Sequence, residues 1–247
     1  MVWGKEAGIG TRSKLYRSVT KGELPPCARP VKRYLYTMVT NCRLGRASPD
    51  ERCEQILDVA SEVFLSEGYG AASMAGIAAR LGGSKATLYK YFPSKESLFA
   101  AMLARKCERV LNSLRAIAVE ATDFESYLAA FARAFLSSLL QPDSIDVFQM
   151  IQADGARFPE VSRQFMETGP EAGYLELARG IARFVDRGDI VCANPRLTAE
   201  QFLGAVRADI HLRATIGIGD PPLPEEIARQ TAHAAQIFAR GLAERRS

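Results

Sequence analysis

With 247 residues, 47% of them hydrophobic and 24% charged, the chain has enough apolar mass for a sizeable core and too much for a disordered protein. Its longest apolar runs, such as Tyr127 to Phe135, are broken by charge or fall far short of the roughly 20 residues of a membrane-spanning helix, so no membrane partner is expected. The formal net charge of +4 is uneven: residues 1–47 hold ten basic residues against Glu6 and Glu23, a balance of +8, which leaves −4 for residues 48–247.

Segment 1–47 mixes Gly, Pro and basic residues (Gly8-Ile9-Gly10, Pro25-Pro26, Arg29-Pro30) without periodicity, and reads as a poorly ordered extension. A DNA-touching arm, a passive tail and a translation start at the internal Met38 all stay open for it. No apolar run followed by a small-residue cleavage site opens the sequence, so a cytoplasmic location is expected. Cys27, Cys42, Cys53, Cys107 and Cys192 are odd in number and scattered, with no Cys-x-x-Cys pair, and predict reduced thiols and no metal site.

From Ser48 the pattern becomes helix after helix. Ile56, Val59, Ala60, Val63 and Phe64 make one apolar stripe, and Gly68 is placed to end that helix. Ser73 can cap a short helix through Ile77, Ala78 and Leu81 to a turn at Gly82-Gly83. Ser84 can cap the next, Lys85 to Phe92, which Pro93 stops. Ser94 can cap a long fourth helix, helped by the charge of Glu96, although a full capping box would want Glu or Gln where the chain has Ser97.

Two short helices across a Gly turn let the second place its side chains in a DNA major groove while the first braces it. Ile77, Ala78, Leu81, Leu88 and Phe92 would lock the pair, leaving Lys85, Thr87, Tyr89 and Lys90 for the outer face. Arg80, Lys85, Lys90 and Lys95, with no acid between Ser73 and Lys95, make a local field suited to phosphate.

Gly68-Tyr69, Ser73-Met74, Ile77-Ala78, Gly82, Ser84-Lys85, Thr87-Leu88-Tyr89, Tyr91-Phe92 and Ser94-Lys95-Glu96-x-Leu98-Phe99 together resemble the DNA-binding domain of the TetR/AcrR family. The match runs from about Ser48 to Arg109. The resemblance implies that Lys85, Ala86 and Thr87 approach base edges, and that Tyr89, Lys90 and Tyr91 contact phosphates or bases. It also implies phosphate contacts from Ser73 and Lys95. Gly83 departs from the family, which usually has an apolar side chain there.

The remainder, from Asp123, reads as amphipathic helices separated by Gln141-Pro142, Phe158-Pro159, Gly169-Pro170, Asn194-Pro195 and Gly219 to Pro224, so the fold class is all-α. Phe148-Gln149-x-Ile151, Ala156-Arg157-Phe158-Pro159-Glu160 and Phe165 resemble the C-terminal domain of AefR- or AcrR-like members. That resemblance implies a ligand cavity among the middle helices and a dimer interface on the last two. Candidate cavity residues are Phe131, Phe135, Phe148, Ile151, Phe165 and Tyr174, with Phe184 nearby; they suit an apolar or aromatic effector. Candidate interface residues on Thr198 to Ile216 and Pro224 to Ala243 are Phe202, Val206, Ile210, Ala234 and Phe238. His211 and His233 are expected to be hydrogen-bonded structural residues.

The domain reading is thus 1–47 extension, 48–109 DNA binding, and 110–247 effector binding and dimerisation. No Gly-x-Ser-x-Gly, Walker-type Gly-rich loop, His-Glu-x-x-His or Cys/His pair is present, which argues against an enzyme and gives no cofactor. The expected partners are palindromic operator DNA, a second copy of the chain and a small effector that releases a repressor. A DNA-packaging protein with no effector is the competing reading.

Overall fold

The computed structural model describes residues 49–243, less the side chains of 49, 50 and 118–120, so the extension expected over 1–47 lies outside the described residues. Ten helices run through them: α1 Pro49–Ala71, α2 Met74–Arg80, α3 Lys85–Tyr91, α4 Lys95–Glu120, α5 Phe124–Leu139, α6 Pro142–Asp154, α7 Pro159–Thr168, α8 Pro170–Asp186, α9 Pro195–Ile216 and α10 Pro224–Leu242. The only pairing of strand type among them is an isolated bridge between Ile190 and Ala243. The all-α class read from the periodicity is the one the chain adopts.

Local chemistry sets the helix boundaries. Each helix from α6 to α10 begins with proline, as α1 does at Pro49; its missing N–H falls where a helix leaves its donors unsatisfied anyway. At α9 the Asn194 side chain also caps, accepting from Leu197 N at 3.0 Å. Gly68 takes φ 80°, ψ 161° and kinks α1 without ending it; helical bonding resumes as far as Ala71. Asp154, at the end of α6, steadies that kink by accepting from Gly70 N at 3.0 Å.

The helices enclose two apolar cores. The first gathers Ile56, Ala60, Phe64, Tyr69, Ile77, Leu88, Phe92, Leu98 and Phe99 from α1 to α4, and takes in Val147, Met150 and Val161 from α6 and α7. Phe64, Tyr69 and Phe99 meet with ring centroids 5.1–5.8 Å apart, a geometry that adds specificity to burial. The second core joins α5, α8, α9 and α10 around Tyr127, Phe131, Leu177, Ile181, Phe202 and Val206. Tyr127 lies directly on Gly180, where an added Cβ would collide with its ring and hydroxyl, so this position of α8 has to be glycine.

Helix α9 is interrupted past its midpoint. There Ala208 takes φ 33°, ψ −138°, a conformation that a residue with a Cβ adopts only at a cost of about 1–3 kcal/mol.

Candidate DNA-binding surface and ligand cavity

The helix pair α2–α3 is held by caps that act within three residues. Ser73 Oγ accepts from Gly76 N at 3.1 Å, and Ser84 Oγ accepts from Thr87 N at 3.2 Å. Gly82 makes the turn at φ 66°. At Gly83 an added Cβ would lie 3.1 Å from Arg52 Nη2, so the guanidinium occupies the space that an apolar side chain takes in the family pattern. Leu88, fully buried, and Phe92 anchor α3 to the first core.

Around those anchors Lys85, Ala86, Tyr89 and Lys90 are exposed on one side of α3, Tyr89 by 49%. Neither Lys85 nor Lys90 pairs with a carboxylate among the described residues, whereas Arg80 faces Glu67 at 3.7 Å. Thr87 is half-buried and shares a hydroxyl hydrogen bond with Ser84 at 3.0 Å. Tyr91 is also half-buried and packs on the first core, so only part of its ring is left for a ligand.

Lys95 requires a correction. Its Nζ donates to the backbone oxygens of Tyr69 at 2.9 Å and Ala72 at 3.1 Å, and lies 4.4 Å from the centre of the Tyr69 ring. The ammonium therefore closes the C-terminal end of α1, where carbonyls lack helical partners, and the free phosphate-seeking lysine expected from the resemblance is not what the geometry presents. Tyr69 in turn meets Phe158 edge-on at 5.1 Å, just before α7. A second correction concerns the cap of α4: Ser97 completes the box for which the usual pattern asks Glu or Gln. Ser94 N donates to Ser97 Oγ at 3.1 Å and Ser97 N donates to Ser94 Oγ at 3.1 Å. The Glu96 carboxyl beside it is held below the usual carboxylate range by its own backbone N–H first, then by the Ser94 hydroxyl.

A cavity of about 130 Å³ opens between α4, α5, α6, α7, α8 and α9. Phe135, Phe148, Phe165 and Tyr174 line it, as do Leu103, Val110 and Leu114 of α4, the helix that starts at the recognition helix. Phe131 does not: it is fully buried in the second core, and Ile151 packs against the first. Phe184 likewise belongs to the second core, edge-on to Phe124 at 5.2 Å. Cys107 borders the cavity, and desolvation pushes its thiol up to about 12, so it stays protonated and apolar in character.

Sequence reasoning missed the polar wall. Arg207 and His211, four residues apart across the Ala208 interruption of α9, both line the cavity. His211 is not the hydrogen-bonded structural residue expected: its ring makes no hydrogen bond among the described residues and stands edge-on to Phe148 at 5.0 Å. Burial and then the Arg207 charge hold its pKa below the usual histidine value. A basic residue and a histidine four apart inside an apolar helix was the signal available.

The interface residues also need correction. Phe202, Val206 and Ala234 are buried in this chain's own second core, and Phe238 pairs edge-on with Phe202 at 5.1 Å, because the larger apolar stripe of each helix is consumed by α5 and α8. Ile210 is half-buried against the same core. The outward faces carry Ala205, Leu212 and Ile216 on α9, and Ala232, His233 and Ile237 on α10; Leu212, Ile216 and Ile237 are each more than half exposed. His233 is thus a surface residue.

Among the described residues no helix is long and apolar enough to cross a membrane. Residues 56–102 match the model of bacterial regulatory proteins of the tetR family, and residues 126–241 match the C-terminal domain of AefR-like transcriptional repressors. The transcriptional activator FasR of Mycolicibacterium smegmatis is 37% identical over 124 residues, which are 50% of this chain and 56% of that protein. The chain thus spans about half the length of such a curated relative. Among solved structures, the flavonoid-responsive regulator FrrA is 30% identical, with a TM-score of 0.69 over 79% of this chain and 99% of FrrA. A TetR-family regulator of Mesorhizobium loti MAFF303099 is 25% identical, with a TM-score of 0.71 over 79% of this chain and 98% of its own. With both its helix-turn-helix and its C-terminal helices matched in this way, the chain belongs to the TetR family of DNA-binding transcription regulators.

Proposed function

We propose that the chain is a cytoplasmic, homodimeric repressor that leaves a palindromic operator when a small apolar or aromatic molecule fills the cavity. Residues 48–109 would bind DNA through Ser73, Lys85, Ala86, Thr87, Tyr89, Lys90 and the exposed part of Tyr91. Residues 110–247 would hold the effector and the second subunit. The observation that carries the reading is that α4 does both jobs. Its first turn is tied through Lys95 to the end of α1, directly before the helix-turn-helix, and Leu103 to Leu114 form a wall of the cavity.

A second link runs through α6 and α7. Val147 and Phe148 line the cavity, while Asp154 holds Gly70 and Phe158 holds Tyr69 at the kink of α1. A ligand that binds better to one tilt of these helices shifts the population toward that tilt, and DNA must oppose it by the same factor. The AefR-like repressor match supports the sign chosen; the activator FasR is the precedent for the other. The exposed stripe of Leu212, Ile216 and Ile237 replaces the buried residues as the dimer face.

The test is selection of genomic fragments by the purified chain, followed by gel shift and in vitro transcription on the selected site. Repression expects a palindrome with half-sites on one face of the duplex and transcription that rises when the protein is withdrawn. Transcription that falls instead would identify an activator, and sequence-independent coating would favour the packaging alternative.

A further inference from the structure

The walls of the cavity are not chemically uniform. Its body is hydrocarbon and aromatic ring, from Leu103, Val110, Leu114, Phe135, Phe148 and Phe165. Two cations, Lys106 and Arg207, also line it, and among the described residues no carboxylate does. Lys106 is already neutralised by an ion pair with Asp143. Arg207 is different: no carboxylate or hydrogen-bond acceptor engages its guanidinium among the described residues, which is also true of Arg133, Arg163, Arg229 and Arg240, but of these Arg207 alone lines the cavity. Four residues on, past the break at Ala208, His211 offers ring nitrogens with no hydrogen-bond partner among the described residues. Between them falls Ala208, the one residue other than glycine with positive φ among the described residues.

A half-buried guanidinium without a partner is an incomplete pair. Its planar fork matches a carboxylate with two parallel N–H donors, and such a charge-assisted pair is about twice as strong as a neutral hydrogen bond. The imidazole of His211 supplies one further donor or acceptor for the same head group. Size narrows the rest of the molecule, since a dry apolar cavity of about 150 Å³ takes a benzene-sized ring. We infer that the effector is a compact organic anion, an aromatic or short aliphatic body carrying one carboxylate that Arg207 holds, with His211 beside it. The inference rests on the effector reading of this cavity and adds the charge, the head group and the residues that read them. An organic cation is excluded by the same wall, because nothing on it offers a negative charge.

Three probes of one shape separate the possibilities: 3-phenylpropanoate, 3-phenylpropan-1-ol and 3-phenylpropylammonium. Each is titrated calorimetrically into the full chain and into Arg207→Gln and Arg207→Lys, with melting of the ligand-free variants as the check on folding. The carboxylate is expected to bind about ten- to a hundredfold tighter than the alcohol, and the ammonium to give no measurable heat. Arg207→Gln should bring the carboxylate down to the affinity of the alcohol and leave the alcohol unchanged. Arg207→Lys, which keeps the charge and loses the fork, should fall between. An alcohol that binds as well as the carboxylate, or a loss in Arg207→Gln shared equally by both, overturns the anionic head group while leaving the effector cavity standing. If none of the three binds the unaltered chain at millimolar concentration, the cavity is not the effector site and both readings fall.

Discussion

The surface around α3 and the cavity beside α9 are built on opposite principles. The recognition helix is seven residues long and is held by contacts close in sequence, the Ser84 cap, the Gly82 turn and the side chains of Leu88 and Phe92. The cavity exists only because six helices far apart in sequence fail to fill the space between them. A short motif can therefore announce the first, while the second depends on how whole helices are set. The first is rigid by local chemistry; the second has room to change shape.

The largest expected effect tests whether that room is real. Phe131→Ala, inside the filled second core, should cost about 3–5 kcal/mol in denaturant unfolding. Phe135→Ala, one turn on and facing the cavity, should cost less than half as much, since part of its surface has no neighbours to lose. Equal costs for the two would mean that the cavity wall is as closely packed as the core.

A smaller effect separates holding the DNA-binding surface from reading DNA with it. Lys95→Met should lower stability by about 1–2 kcal/mol, the loss of two charge-assisted hydrogen bonds discounted for partial exposure. Lys90→Ala should leave stability unchanged and reduce the salt dependence of DNA binding by about one counterion. If Lys95→Met melts normally but flattens the salt slope, its ammonium belongs to phosphate after all.

The smallest effect lies on the cavity side. His211 has a pKa below its unfolded value near 6.5. The unfolded chain then binds the proton more readily, so the contribution of His211 is complete above that value and is lost as pH falls through it. Between pH 7.5 and 5.5 the unaltered chain should lose up to about 1 kcal/mol more stability than His211→Phe, measured as melting at matched salt. Parallel pH profiles would show that His211 is as well solvated folded as unfolded.

The same contrast decides what the order of amino acids discloses by itself. Ser73, Ser84 and Ser94 are legible as caps because a cap acts on backbone three residues away. Ser97 is not, because the familiar box uses a longer side chain, and only geometry shows that a hydroxyl reaches far enough. Periodicity marks Phe131, Phe202, Val206 and Ala234 as facing something apolar, but a stripe carries no address: they pack inside their own chain. Lys95 misleads for a related reason, since a sequence does not say whether a cation points to solvent or to the open carbonyls of the preceding helix.

Helix α4 has a mechanical consequence of its own. At 26 residues it is about 39 Å long by the rise of an α-helix, and its cavity-lining stretch is centred roughly 20 Å from Lys95. It is a lever with its fulcrum beside the cavity. A tilt of about 5° there would carry the far end by roughly 2 Å, less than half a helical turn. In the proposed two-fold pair the displacements would add, so the distance between recognition helices would change by up to roughly 4 Å, against the 34–36 Å that successive major grooves allow. In the proposed dimer a molecule of a few atoms would need no long chain of events to unseat the pair; it would need only to set the tilt at the fulcrum.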